Sequence, residues 1–104
     1  MAKETESGIQ AAICEYLAYR RHFFFRCNNV PVFHEGRFRA LPKHTPRGLP
    51  DIILIEHGRF VGLEVKTKEG RQSPDQKEFE RASKEAGASY YVVHSVDEVH
   101  ALGF

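Results

Sequence analysis

The stretch Gly48-Leu-Pro-Asp-Ile-Ile-Leu-Ile-Glu-His-Gly-Arg-Phe-Val-Gly-Leu-Glu-Val-Lys66 decides the fold. Two apolar runs, Ile52–Ile55 and Phe60–Leu63, flank His57-Gly58. Apolar runs of strand length around a two-residue, glycine-containing loop predict a β-hairpin. With that loop, Glu56 opposes Arg59, Ile55 opposes Phe60, Ile52 opposes Leu63, and one further step sets Asp51 opposite Glu64. Opposed residues share a face with Cβ atoms about 4.5–5.5 Å apart. Lys66 lies two residues past Glu64, so it belongs to the same face. Apolar runs without alternation also predict strands buried on both faces. Two carboxylates facing each other in such a hairpin are destabilising unless something offsets their repulsion. A divalent cation would turn the repulsion into attraction, and hard oxygen ligands suit Mg²⁺ or Mn²⁺. Lys66 would then be a fixed positive charge beside the metal. Gly62, with no side chain on that face, would leave room for a ligand. Without a metal, the same pattern describes an ordinary hairpin with polar, frayed ends.

The flanking elements follow from capping and periodicity. Thr5 or Ser7 caps a first helix, Ser7 with Gln10 fitting a capping box. Ile9, Ile13, Tyr16, Leu17 and Arg20 recur at helical spacing. At 100° per residue Glu6 projects about 20° from Ile13, on the core side, and Glu15 about 160° away. Glu6 therefore either reaches toward the sheet or only complements the helix dipole. Phe23–Asn28 reads as a first strand, with Phe24, Arg26 and Asn28 on one face. Between Val30 and Thr45, His34-Glu35-Gly36-Arg37 suggests a turn in a small hairpin or a mobile basic loop. Beyond Lys66, Ser73-Pro74-x-Gln76 combines an N-cap, a first-turn proline and a capping-box glutamine. Phe79, Ala82, Ser83 and Ala86 form the expected packed face of that helix, and Gly87 its left-handed stop. Gln76 either closes the capping box alone or also faces the sheet near Lys66. Ser89–His94 is a strong strand run with no suggestion of chemistry. Ser95 caps a last helix that packs Val96, Val99 and Leu102. The order α-β-β-β-α-β-α predicts an α/β fold, with a mixed central sheet flanked by helices. The helix between the third and fourth strands would make that pair parallel.

A length of 104 residues, 41% of them hydrophobic and 28% charged, predicts one ordinary globular domain over 1–104, with a basic insertion at about 30–46. No run approaches a membrane span and none resembles a signal-peptide core, which predicts a cytoplasmic protein. Cys14 and Cys27 lack metal-ligand spacing and read as reduced thiols rather than a disulfide. Net charge is only +1, but its distribution is uneven. Arg20–Arg47 holds seven Lys or Arg against Glu35, a local +6, while the remainder carries −5. Within that region Arg37, Arg39, Lys43 and Arg47 are candidate phosphate contacts.

Pro50-Asp51 followed by Glu64-Val65-Lys66 has the form PD…(D/E)xK and resembles the metal-dependent nucleases of the restriction-endonuclease-like superfamily. The likeness extends to Gly48 and to Ser73-Pro74-Asp75-Gln76. Within that superfamily the chain resembles the VRR-NUC (virus-type replication-repair nuclease) domain in its small stand-alone form, from Glu6 to about Leu102. The resemblance implies a restriction-endonuclease-like core and hydrolysis of DNA phosphodiester bonds with Mg²⁺ or Mn²⁺. It implies metal binding by Asp51, Glu64 and the Val65 carbonyl, with Glu6, through Glu6-x-x-Ile9-Gln10, in support. Lys66 would orient and activate the attacking water, and Gln76 would position substrate or water. Arg26-x-Asn28 would lie near the active site, as candidates for DNA or structural contacts, the alternative being an exposed strand face. The implied setting is a homodimer that cuts four-way junctions in replication, repair or recombination, in a bacterial or phage-infected cell. Flaps or single strands are alternative substrates, and a non-catalytic DNA-binding module of the same fold is the alternative to an enzyme.

Overall fold

The computed structural model describes residues 4–27 and 42–104, and the backbone of 33–34 and 37–38. Asn28 and Arg39 lie outside the described residues, as does the side chain of Arg37. The chain runs α1 (Glu6–Tyr19), β1 (Phe23–Arg26), β2 (Phe33–His34), β3 (Arg37–Phe38), β4 (Ile52–Glu56), β5 (Arg59–Val65), α2 (Pro74–Glu85), β6 (Ser89–Val93) and α3 (Val96–Ala101). The expected order is present, with the antiparallel pair β2–β3 in addition, Phe33 opposite Phe38 and His34 opposite Arg37.

The main sheet has the order β1-β4-β5-β6, with β1–β4 and β4–β5 antiparallel and β5–β6 parallel. The register of the central hairpin is the expected one, Glu56 opposite Arg59 through Ile52 opposite Leu63. His57 and Gly58 both have positive φ, 50° and 79°. That is the requirement of a type I′ turn, whose twist matches that of the strands it joins.

One sheet face carries the core. Ile9, Ile13 and Leu17 of α1 pack on Ile52, Leu54, Val61, Leu63 and Val65, together with Val93, Val99 and Phe104. Leu102 was expected here but is exposed, and Phe104 takes its place. A left-handed Gly103 turns the chain back after α3. The Tyr16 hydroxyl secures this end by donating to the Phe104 carbonyl at 2.7 Å. Having given its one proton, it accepts from His100 Nδ1 at 2.8 Å.

The other face is covered only in part. Helix α2 begins as expected, with Ser73 and Gln76 in a complete capping box and Pro74 in the first turn. Its packing is shallower than expected. Ala82 and Ala86 are exposed, no residue of α2 is fully buried, and Phe79 makes the principal contact, its ring 6.2 Å from that of Tyr90. At the β1 edge, Phe23, Phe25 and Ile55 are exposed, so burial on both faces holds for the centre of the sheet and not for its edge. Cys14 and Cys27 are both free thiols. Among the described residues no helix is long and apolar enough to cross a membrane.

Removing the hydroxyl that ties α1 to the end of the chain should cost about 1–1.5 kcal/mol. Chemical denaturation of Tyr16→Phe should show a lower midpoint with an unchanged slope.

Candidate active site

Continuing the hairpin register past Ile52 and Leu63 sets Asp51 opposite Glu64, and Pro50 opposite Val65. Proline has no N–H, so the Val65 carbonyl receives no ladder hydrogen bond from that position. The Val65 N–H bonds instead to a side chain, donating to Asp51 Oδ2 at 2.7 Å. On its other flank Asp51 is fixed through its own carbonyl, which accepts from the Cys27 N–H at 2.8 Å. The aspartate is thereby pinned across the end of the sheet, bridging β1 and β5.

Glu64 is the only buried charged residue among those described, with 1% of its surface exposed. Burial, together with a hydrogen bond and charge repulsion from Asp51, pushes its carboxyl up to about 8. Glu64 is thus the group that holds a proton at neutral pH when no cation is present. Lys66 opposes the shift, as does the Tyr90 hydroxyl, which donates to Glu64 Oε1 at 3.1 Å. Lys66 also reaches α1, its ammonium 3.5 Å from Glu6 Oε1. That contact depends on Thr5, not Ser7, being the N-cap, which makes Glu6 the first helical residue. The Thr5 hydroxyl accepts from the Gly8 N–H at 3.1 Å, while Gln10, instead of closing a box with Ser7, accepts from Arg26 at 2.6 Å.

The remaining expected residues fall into two groups. Asp51, Glu64, Lys66 and Glu6 are brought together at one end of the sheet. Gln76 is tied into the α2 cap, its Oε1 accepting from the Ser73 N–H at 2.8 Å. It still adjoins the Asp51 loop, because the backbone of Gly48 lies against Asp75 and Gln76. Arg26 stands on the α1 side of the sheet, held by Gln10, and Lys43 and Arg47 are exposed. The space above Gly62 is not open for a ligand. A Cβ there would lie 3.0 Å from Pro50 Cγ and 3.2 Å from Tyr90 Cδ2. Tyr90 itself belongs to the strand in which no chemistry was expected. Its place depends on the parallel register that puts it opposite Gly62, a pairing no local pattern announces.

Among the described residues there is no group of three or more His, Cys, Asp or Glu side chains placed to hold a metal ion. The protein's own donors are therefore the two carboxylates and the Val65 carbonyl left without a ladder partner. Glu6 is a neighbour of Lys66 and does not complete a three-carboxylate cluster. Two carboxyl groups side by side, with a carbonyl oxygen next to them, form an all-oxygen donor set suited to a hard dication.

No family model matches the chain, and no curated protein is similar to it in sequence. The structural comparisons do give matches. One solved structure described as "VRR_NUC domain" superposes with a TM-score of 0.65 at 24% identity, over 95% of each chain. Another, described as "VRR_NUC domain protein", gives 0.63 at 18% identity, over 98% of this chain and 87% of the other. The chain therefore has the VRR-NUC fold, a mixed sheet flanked by helices.

Two outcomes follow from the geometry. Between about 4.5, where a glutamate titrates in the unfolded chain, and about 8, the folded protein holds the extra proton. In EDTA, wild-type stability relative to Glu64→Gln should be greatest below 4.5 and fall through that window, by up to about 1.4 kcal/mol per pH unit. Urea denaturation at pH 5 and pH 8.5 checks the sign. Gly48 has a φ of +74°, and an added Cβ would sit 2.3 Å from the Asp75 carbonyl oxygen. Gly48→Ala should cost about 3 kcal/mol or more in the same measurement, because left-handed strain and a backbone clash add.

Proposed function

We propose that this VRR-NUC fold carries a metal-dependent DNA nuclease that hydrolyses phosphodiester bonds. The observation that carries the proposal is the Asp51–Glu64 pair, two carboxyl groups forced together at the end of a hairpin with Lys66 beside them. A structural ion pair would not place like charges in contact and bury one of them almost completely. The fold shared with structures described as VRR_NUC domains supports the same chemistry.

In this proposal Asp51, Glu64 and the Val65 carbonyl hold Mg²⁺ or Mn²⁺. When bound, such an ion stabilises charge on phosphate oxygens and makes a coordinated water more acidic. Asp51 remains oriented by the Val65 N–H and Glu64 by the Tyr90 hydroxyl. The Lys66 stem is confined by the loop at Gly70, where a Cβ would lie 3.3 Å from Lys66 Cβ and Cδ. Its ammonium, paired with Glu6, offers fixed positive charge to a phosphate oxygen or an attacking water. Gln76, through its amide nitrogen, positions substrate or water from the α2 side.

DNA is the proposed partner. Exposed Lys43 and Arg47 sit in the +6 segment that leads into the Asp51 loop, with Arg26 near the head of α1. Phosphate contacts of this kind give affinity without reading sequence. A small domain whose described residues include no base-reading element therefore suits recognition of DNA shape, and branched DNA such as four-way junctions is the proposed substrate. A two-fold homodimer would supply the paired cuts that a junction needs.

Labelled four-way junction, flap, duplex and single-stranded DNA, each incubated with Mg²⁺, Mn²⁺ or EDTA, test the proposal. Junction cleavage should require the metal, disappear in Asp51→Asn, and fall by about 100-fold or more in Lys66→Ala. Preferred cutting of flaps or single strands would replace the substrate and keep the chemistry. DNA binding without cleavage under any condition would sink the enzyme and leave a binding module.

A further inference from the structure

Among the described residues, Tyr90 is the hydroxyl-bearing side chain that hydrogen-bonds the buried carboxylate. It donates to Glu64 Oε1 at 3.1 Å in a buried hydrogen bond, and 2% of the residue is exposed. Its ring reaches that position only because the residue opposite it on β5 is a glycine. A Cβ on Gly62 would stand 3.2 Å from the ring and 3.0 Å from Pro50 Cγ, tighter than ordinary packing. The same glycine thus seats the proline that precedes one carboxylate and the tyrosine that holds the other. Phe79 of α2 packs against the ring from outside, with 6.2 Å between centroids. Gln72 lies beside the hydroxyl and is itself anchored, its Nε2 donating to Glu80 Oε1 at 3.1 Å. Glu80 is held in turn by Lys84 at 2.6 Å.

We propose that Tyr90 is a positioning residue for the metal site, its hydroxyl holding Glu64 in the rotamer that presents a free carboxylate oxygen alongside Asp51. This rests on the metal-site proposal above and goes beyond it, because Tyr90 contributes no ligand. The hydroxyl engages Oε1, which leaves Oε2 free of that bond. The Gln72 amide at the hydroxyl's other side favours a hydroxyl proton directed at Glu64. A buried phenol needs some hydrogen-bond partner in any case. What distinguishes positioning from packing is that the partner here is a ligand, and partners of metal ligands commonly change affinity by about 10–100-fold when removed.

The experiment uses Tyr90→Phe, which keeps the ring over Gly62 and deletes only the hydroxyl. Mn²⁺ binding is measured by titration calorimetry for wild type, Tyr90→Phe and Asp51→Asn, with thermal unfolding in EDTA beside each. The expected result is a Kd for Mn²⁺ about tenfold or more weaker in Tyr90→Phe, with a folded domain in EDTA. Its cleavage should be impaired at limiting Mn²⁺ and recover at saturating Mn²⁺. Gln72→Ala, which leaves the phenol in place, should weaken Mn²⁺ in the same direction by less. An unchanged Kd in Tyr90→Phe, while Asp51→Asn loses binding, would overturn the role of Tyr90 and leave the metal site standing. No Mn²⁺ binding by the wild type would overturn the metal site and, with it, this role.

Discussion

The hydrogen bond from the Val65 N–H to Asp51 Oδ2 is the contact on which the rest of the site depends. In an antiparallel ladder the end of a strand is closed by the backbone of its partner. Here the partner position is Pro50, which cannot donate. The aspartate side chain closes the ladder at the Val65 N–H, and the Val65 carbonyl receives no ladder bond from the proline. Proline and aspartate together therefore do three things. They terminate the hairpin, bring an acidic group against Glu64, and leave a carbonyl oxygen beside both without a donor from Pro50.

That arrangement is costly for the folded chain, and its surroundings show how the cost is contained. Glu64 is buried beside a second carboxyl group, which raises its proton affinity well above that of an ordinary glutamate. Protonation of Glu64 removes the repulsion at neutral pH, and the Tyr90 hydroxyl and Lys66 moderate what remains. On either side, rigid backbone contacts hold the strand ends in place. Gly48 is pressed against the first turn of α2, and Cys27 bonds to the Asp51 carbonyl from β1. A site built this way is preorganised before any ligand arrives.

The parts legible in the sequence were those written in local pattern. His57-Gly58 fixed the turn, the turn fixed the register, and the register placed Asp51 opposite Glu64. Ser73, Pro74 and Gln76 announced α2 because capping chemistry is confined to four residues. The illegible parts depended on long-range pairing. The β5–β6 register brings Tyr90 over Gly62, and nothing near Tyr90 in the sequence reveals it. The room expected above Gly62 was therefore misjudged, since an absent side chain leaves space only until a neighbour fills it. The shallow seating of α2 has a similar cause. Helical spacing identifies a face, but how deeply it sinks is decided by the sheet beneath, where the ring of Phe79 meets that of Tyr90.

The two helices that flank the site act on it in different ways. Helix α1 is fastened to the core through Ile9, Ile13 and Leu17 and brings Glu6 to Lys66 from a rigid base. Helix α2 is held at its first turn, by the capping box and by Gly48, and has no fully buried residue along its length. Its outward face is instead knitted by Arg81 to Glu78 and Glu85, exposed pairs that contribute little to tertiary stability. Displacing α2 would strain the Asp51 loop at one point, its N-terminal turn, and would loosen Phe79 from the ring that orients Glu64. Both carboxylates are thereby coupled to the same helix, one through Gly48 and one through Tyr90.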